Sequence, residues 1–277
     1  VRSLPVIDVT AASVDADGFF CRMSKMKTAG NQQKLAWTKA RFDEGLGLTL
    51  LGDGGRGFVE VMPGEHCWRP IVADGWDVIH CLWVVGSSKG HGHGAGLLDQ
   101  VVRRARAAKR KGIAAVAREK NWVTPVSFYE HHGFTVADRG IDGFVLMALP
   151  LAPKAPAPRF VTDAWEGRLS KHPDGLVVFR TAQCPYLDDA VASVVAVGRE
   201  LHISVEVIEL RSAEEVRTLA PSPYGTYAVA LDGRLLTSTY ELPAALRQKI
   251  TAARAGTKAT PKRATSKART TRTTKKA

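Results

Sequence analysis

The chain is short of thiols: Cys21, Cys67, Cys81 and Cys184 are its only four cysteines, with no C-x-x-C pair and no dense spacing. A disulfide scaffold is thereby excluded, and reduced thiols in a cytoplasm are expected. Long apolar runs are missing as well. None approaches the roughly 20 residues that span a bilayer, so no membrane partner is predicted. The first residues, VRSLPVIDVT, lack the apolar core and small-residue cleavage site of a signal peptide. Acid is absent from one region only. Residues 251–277 hold nine Lys/Arg and no Asp or Glu, while the 250 residues before them carry 30 basic and 27 acidic groups. Most of the net charge of +12 therefore belongs to a tail, and a basic nucleic-acid-binding core is disfavoured.

What remains is ordinary for a globular protein, 45% apolar and 24% charged over 277 residues. That length suits two small domains of about 100–200 residues each. Composition divides the chain. Residues 1–150 mix strand-like and helix-like patterns. Residues 151–174 open on a proline-rich stretch, with Pro150, Pro153, Pro156 and Pro158 close together, which predicts an extended linker. Residues 175–253 form a second patterned block, and 254–277 are low-complexity Lys/Arg/Thr/Ala, predicted to be disordered.

In the first block, Asn31–Gly45 reads as a helix with an Asn cap, Leu35, Trp37, Ala40 and Phe42 being its apolar members. Residues 47–64 read as a hairpin across Asp53-Gly54-Gly55. Asp77–Val85 (DVIHCLWVV) is nearly all apolar between Gly75 and Gly86, as a central buried strand should be. A glycine-rich loop, a helix, another strand, the short helix VSFYEHH and a closing strand pair follow. The second block reads β-α-β-α-β-β-α, with a tight Asp232-Gly233 hairpin. The fold class is mixed α/β (α+β).

The strongest chemical signal is Lys89-Gly90-His91-Gly92-His93-Gly94-Ala95-Gly96, set between the buried strand and a helix. Closely spaced glycines let backbone N–H groups converge on a ligand, and the helix adds its positive end, so the place suits a phosphate or pyrophosphate. The P-loop spacing is absent, because no Lys-Ser/Thr follows the glycines. A dinucleotide fingerprint wants an acidic residue about 20 positions on, where this chain has Ala115-Val116-Ala117. Glu60 and His80 each interrupt an apolar strand, which costs free energy unless the group is partnered or used. Both are candidates for a general base. Neither the H-x-H pair of the loop nor His131-His132 has Cys or carboxylate partners at ligand spacing, so no metal is expected.

Lys89-x-x-Gly92-x-Gly94 at a strand-to-helix turn, followed downstream by Phe128-Tyr129-Glu130-His131-His132-Gly133-Phe134, resembles the GNAT acyltransferases. The resemblance implies a GNAT mixed sheet with flanking helices over 1–150, and acetyl-CoA as donor to an amine acceptor, small molecule or protein. It further implies that the amides of Lys89 through Ala95 bind the pyrophosphate and that Leu82, Trp83 and Val84 pair with the pantetheine arm. Tyr129 would protonate the departing thiolate, and Asn121 would assist at the cofactor. In the second block, Gln183-Cys184-Pro185-Tyr186 after a strand and at a helix start resembles the thioredoxin/glutaredoxin fold. Leu187 stands where a resolving cysteine would be, which leaves Cys184 a candidate monothiol, its thiolate favoured by the helix dipole. Both blocks together resemble the YoaP-type acetyltransferases. Two other readings stand beside acetyl transfer: a non-catalytic acyl-CoA-binding module, and monothiol redox chemistry. The basic tail is either a solubilising extension or a weak, non-specific nucleic-acid contact.

Overall fold

A computed structural model of the protein describes residues 4–119, 122–162 and 164–258. Asn121 and the basic stretch after 258 lie outside the described residues.

The first block begins with β1 (Val6–Val9), the single-turn α1 (Val14–Asp17) and α2 (Ala29–Phe42). The hairpin β2 (Gly47–Leu51) and β3 (Gly57–Pro63) comes next, then the short β4 (Ile71–Val72) and the long β5 (Trp76–Val84). After the glycine loop run α3 (His93–Ala107), β6 (Gly112–Ala117), α4 (Val126–His131), β7 (Thr135–Arg139) and β8 (Val145–Pro150). All of their strands but β4 make one seven-stranded sheet, β1-β2-β3-β5-β6-β8-β7, in which only β5 and β6 run parallel.

The sequence expectation for α2 needs correcting. The helix starts at Ala29 after Thr28, and Asn31 is not its cap. Asn31 sits buried inside the first turn and donates its amide to the Arg22 carbonyl at 3.0 Å. The inward face of α2 is Asn31, Lys34, Trp37 and Thr38, largely polar.

The segment expected to be a linker is packed into the protein. It contains β9 (Arg159–Phe160), which pairs with β4, and a 3-10 turn over Trp165–Arg168. The Pro156 carbonyl accepts from Trp76 Nε1 at 3.1 Å, and Asp138 Oδ2 accepts from the Phe160 amide at 2.8 Å. Prolines remove donors but leave carbonyls free to accept, and the apolar Phe160, Trp165 and Leu169 have a core to enter.

Beyond it, β10 (Leu176–Arg180), α5 (Leu187–Glu200), β11 (Val205–Glu209), α6 (Ala213–Leu219), β12 (Tyr227–Leu231), β13 (Arg234–Thr237) and α7 (Pro243–Lys258) follow the expected order. They form a four-stranded sheet, β11-β10-β12-β13, with β10 and β11 parallel and the other pairs antiparallel. One apolar cluster joins the two sheets: Trp68, Trp76, Phe144 and Phe160 pack with Trp165, Val177, Phe179 and Val216. The far faces are covered separately, the large sheet by α3 and α4, the small one by α5 and α7.

Candidate active site

β5 carries the site because it cannot keep both neighbours. It pairs with β6 from Trp76↔Gly112 to Ile79↔Ala115 and then parts from it, while β6 continues along β8. On the other side β5 stays with β3 through a register shift, in which Val61 faces Ile79 but Glu60 faces Cys81. His80 is the extra residue of that bulge, and an extra residue kinks and twists its strand. The carbonyls of His80 and Leu82 share the freed edge, two residues apart. Arg69 Nη2 donates to the first at 2.5 Å and Thr124 Oγ1 to the second at 3.1 Å.

The glycine loop lies just after this parting. Gly86, Gly90 and Gly92 have φ of +60°, +84° and +77°, a left-handed conformation that other residues adopt at a cost. Gly92 leads into α3, whose first-turn amides have no partner within the helix. A Cβ at Gly90, Gly92 or Gly96 would meet nothing within 4 Å, so the loop faces open space. The predicted binding residues Lys89, Gly90, His91, Gly92, His93, Gly94 and Ala95 are thus gathered at the positive end of a 15-residue helix. Leu82, Trp83 and Val84 lie on the freed stretch of β5. Tyr129, on α4, is fully buried between Phe128 and Phe134. The Thr124 side chain beside it donates to the Leu82 carbonyl at 3.1 Å, and burial pushes the phenol well above its ordinary range.

A chamber of 980 Å³ opens between the two sheets. Glu60, His80, Cys81 and Trp83 face it from the large sheet, Lys34 from α2, and Cys184, Tyr224 and Thr226 from the second block. Glu60 and Lys34 form an ion pair with both side chains at most 4% exposed. Burial works against the Glu60 charge, but the Lys34 ammonium and the facing His80 ring outweigh it and bring the pKa down to about 2. His80 stands with Nδ1 at 3.7 Å from Glu60 Oε1, and its Nε2 accepts the Trp68 amide at 3.1 Å. An amide can only donate, so the Nε2 lone pair is occupied and the ring proton sits on Nδ1. Burial, reinforced by the Arg69 charge, lowers the His80 pKa to about 4.

Both shifts carry the same sign. From about pH 6.5 down to 4 an unfolded chain takes up a proton that folded His80 refuses, and from about 4.5 down to 2 the same holds for Glu60. Stability should therefore fall steadily on acidification below neutrality. Nitrogen-15 spectra should show His80 neutral and Nδ1-protonated from pH 7 to 5; a ring titration near pH 6.5 would contradict this assignment.

The fold brings Cys184 of the second block to the first. Cys184 lines the same chamber as Cys21 and Cys81. Burial outweighs the helix contribution and raises its pKa, so the group is a thiol and not a thiolate. Burial likewise pushes Cys81 up to about 12. Trp83, Trp122 and Tyr186 form an aromatic row from β5 to the second block, with centroids 6.1 and 6.4 Å apart, and the guanidinium of Arg22 lies over Tyr186 at 5.1 Å. Among the described residues no three His, Cys, Asp or Glu are grouped to hold a metal ion.

Sequence reasoning missed Lys34, Arg69 and Thr124. A signal existed for Lys34 alone, the polar run Asn31, Lys34 and Thr38 at helical spacing.

No family model matches the sequence. The chain is similar to the uncharacterized N-acetyltransferase YoaP of Bacillus subtilis (strain 168), 31% identical over 234 residues that cover 83% of this chain and 92% of that protein. Among solved structures, it can be laid over yncA, an acetyltransferase from Salmonella typhimurium solved with acetyl-CoA, at 20% identity. That match covers 56% of this chain and 98% of the other, with a TM-score of 0.41. A GNAT family acetyltransferase from Brucella melitensis, also solved with acetyl-CoA, gives 14% identity, 57% and 94% coverage and a TM-score of 0.37.

Proposed function

The chain belongs to the family of YoaP-type N-acetyltransferases, and from that premise we propose that it moves the acetyl group of acetyl-CoA directly to an amine. The parting of β5 from β6 beside the N-terminus of α3 carries the reading. It offers a polar edge for an extended chain and, at its end, a cradle of amides for a pyrophosphate. In this reading Lys89 through Ala95 take the pyrophosphate, and Leu82, Trp83 and Val84 flank the pantetheine arm. The neutral amine attacks the thioester carbon, the carbon–sulphur bond breaks, and Tyr129 gives its proton to the leaving thiolate. The proton released by the amine passes to water, and water returns one to the Tyr129 phenolate. His80 is not the base, since its lone pair holds the Trp68 amide. Glu60, already ionised and weakly basic, draws the amine into place. Residues 175–253 are a thioredoxin-like unit; the order β11-β10-β12-β13 with one parallel pair supports that, and its contribution is a wall of the chamber.

The test is binding of CoA by calorimetry to the wild type and to Gly94→Glu. A Cβ at Gly94 stands 3.4 Å from the Phe128 ring, an ordinary contact, and an acidic side chain at a helix N-terminus is compatible with the helix. The variant should fold, yet its carboxylate opposes the pyrophosphate, and affinity should drop by more than about tenfold. A folded Gly94→Glu protein with undiminished CoA affinity would remove the loop from the reading. Thiol release from acetyl-CoA in the presence of amines separates an enzyme from a binding module.

A further inference from the structure

Arg69 is a strongly buried charge of the chamber that the reaction above leaves unused. Its side chain lies in the chamber wall and the residue is 2% exposed. Its guanidinium is met by neutral acceptors: the two Nη1 protons are shared among the Trp68 carbonyl at 2.9 Å, Gln183 Oε1 at 2.6 Å and Thr226 Oγ1 at 2.9 Å, and Nη2 donates to the His80 carbonyl. The Tyr224 ring lies 4.8 Å from its centre. Among the described residues no carboxylate stands within ion-pair distance of it, and Glu60 is already engaged by Lys34. Its Nε–H is buried with no acceptor, and so is the Ser238 hydroxyl that lines the same chamber from the second block. A buried cation without a counter-charge is costly, and an unmade charged hydrogen bond adds to that cost. Nε–H and the second Nη2–H are left without an acceptor, and two N–H groups side by side on a guanidinium are suited to a carboxylate.

We propose that the acetyl acceptor is a small molecule bearing both an amine and a carboxylate, an amino acid or a close analogue, and that its carboxylate docks on Arg69. The inference rests on the acetyl-transfer reading and adds the acceptor class. Arg69 holds the carbonyl of His80, and His80 faces Glu60, so the carboxylate site and the group that draws the amine are neighbours across one bulge. The volume of 980 Å³ falls in the range of about 300–1,000 Å³ common for small-molecule sites. The acceptor is thus bound between the sheets, with Gln183, Thr226 and Ser238 of the second block around its acidic end. In this arrangement the second unit selects the substrate.

The experiment uses matched pairs of acceptors with acetyl-CoA: phenylalanine and phenethylamine, tyrosine and tyramine, leucine and isoamylamine, methionine and 3-methylthiopropylamine, lysine and cadaverine. Thiol release is followed for each, with binding of 3-phenylpropionate measured by calorimetry. The acid-bearing member should win by about tenfold to a hundredfold in kcat/KM, the scale of a hydrogen bond to a charged group. In Arg69→Gln that preference should collapse through KM, and Arg69→Lys, which keeps the charge without the fork, should restore part of it. A merely structural clasp between the sheets would lower the melting temperature without altering the preference. A group acting on the thioester oxygen would lower kcat for acids and amines alike. Either result overturns the proposal, as does turnover of the plain amines at equal rate, or the absence of any turnover and of 3-phenylpropionate binding in a protein that binds CoA. Should neither variant fold, the wild-type pairs decide alone. Loss of CoA binding itself would strike the acetyl-transfer reading instead.

Discussion

Tyr129→Phe should leave the fold and CoA affinity intact while kcat falls by about 10²-fold, the usual scale for a general acid. The substitution keeps the ring between Phe128 and Phe134 and removes only the hydroxyl. Beside it is Thr124, whose hydroxyl reaches the Leu82 carbonyl on the freed stretch of β5. Burial holds the phenol protonated across the neutral range, so the proton is present whenever the thiolate leaves. A tyrosine that only packs would cost about 1 kcal/mol of stability for the lost hydrogen bond and leave turnover nearly unchanged. Thr124→Val supplies a control. It removes the polar neighbour of the phenol, so it should slow turnover less than Tyr129→Phe does, with the proton still in place. Single-turnover rates with the chemical step isolated, beside a melting curve, separate the outcomes; an unaltered chemical step in Tyr129→Phe would leave the thiolate to be protonated by solvent.

Features decided by neighbouring residues were legible in the sequence. Asp53-Gly54 and Asp232-Gly233 read as tight turns because both positions need left-handed backbone, and the structure has φ of 47° and 73°, and of 50° and 75°, there. The apolar run around β5 and the glycines after it place a buried strand and a ligand loop by the same local chemistry. Glu60 and His80 stood out because each broke an apolar strand, yet their roles were not readable: the lone pair of His80 goes to the Trp68 amide twelve residues away. The inward face of α2 was hidden for a different reason. Polar residues on a helix normally face water, so a buried face of Asn31, Lys34 and Thr38 runs against the rule that apolar periodicity marks the core. The chamber was invisible because it depends on how the two sheets meet. Proline composition suggested a tether there, and only tertiary packing brings Phe160 and Trp165 into the core that joins the sheets.

The buried pair of Lys34 and Glu60 gives the largest expected effect on stability. Glu60→Gln would leave the Lys34 ammonium, 4% exposed, without its counter-charge, and Lys34→Met would leave Glu60 to His80 alone. Breaking one partner of such a pair costs about 3–5 kcal/mol, because the remaining ion is buried and unanswered. For a chain of this length that is a fall in melting temperature of roughly 10 °C or more. The double variant Lys34→Met/Glu60→Leu removes both charges at similar volume, and such replacements are often neutral or stabilising. The fall should therefore be largely recovered, with a coupling energy of several kcal/mol between the two positions. Turnover should not return with it, because the double variant has no carboxylate to draw the amine. Urea unfolding gives the cycle and thiol release gives the activity. A recovered fold with recovered turnover would make the pair purely structural, and a single variant as stable as the wild type would mean that water reaches the pair.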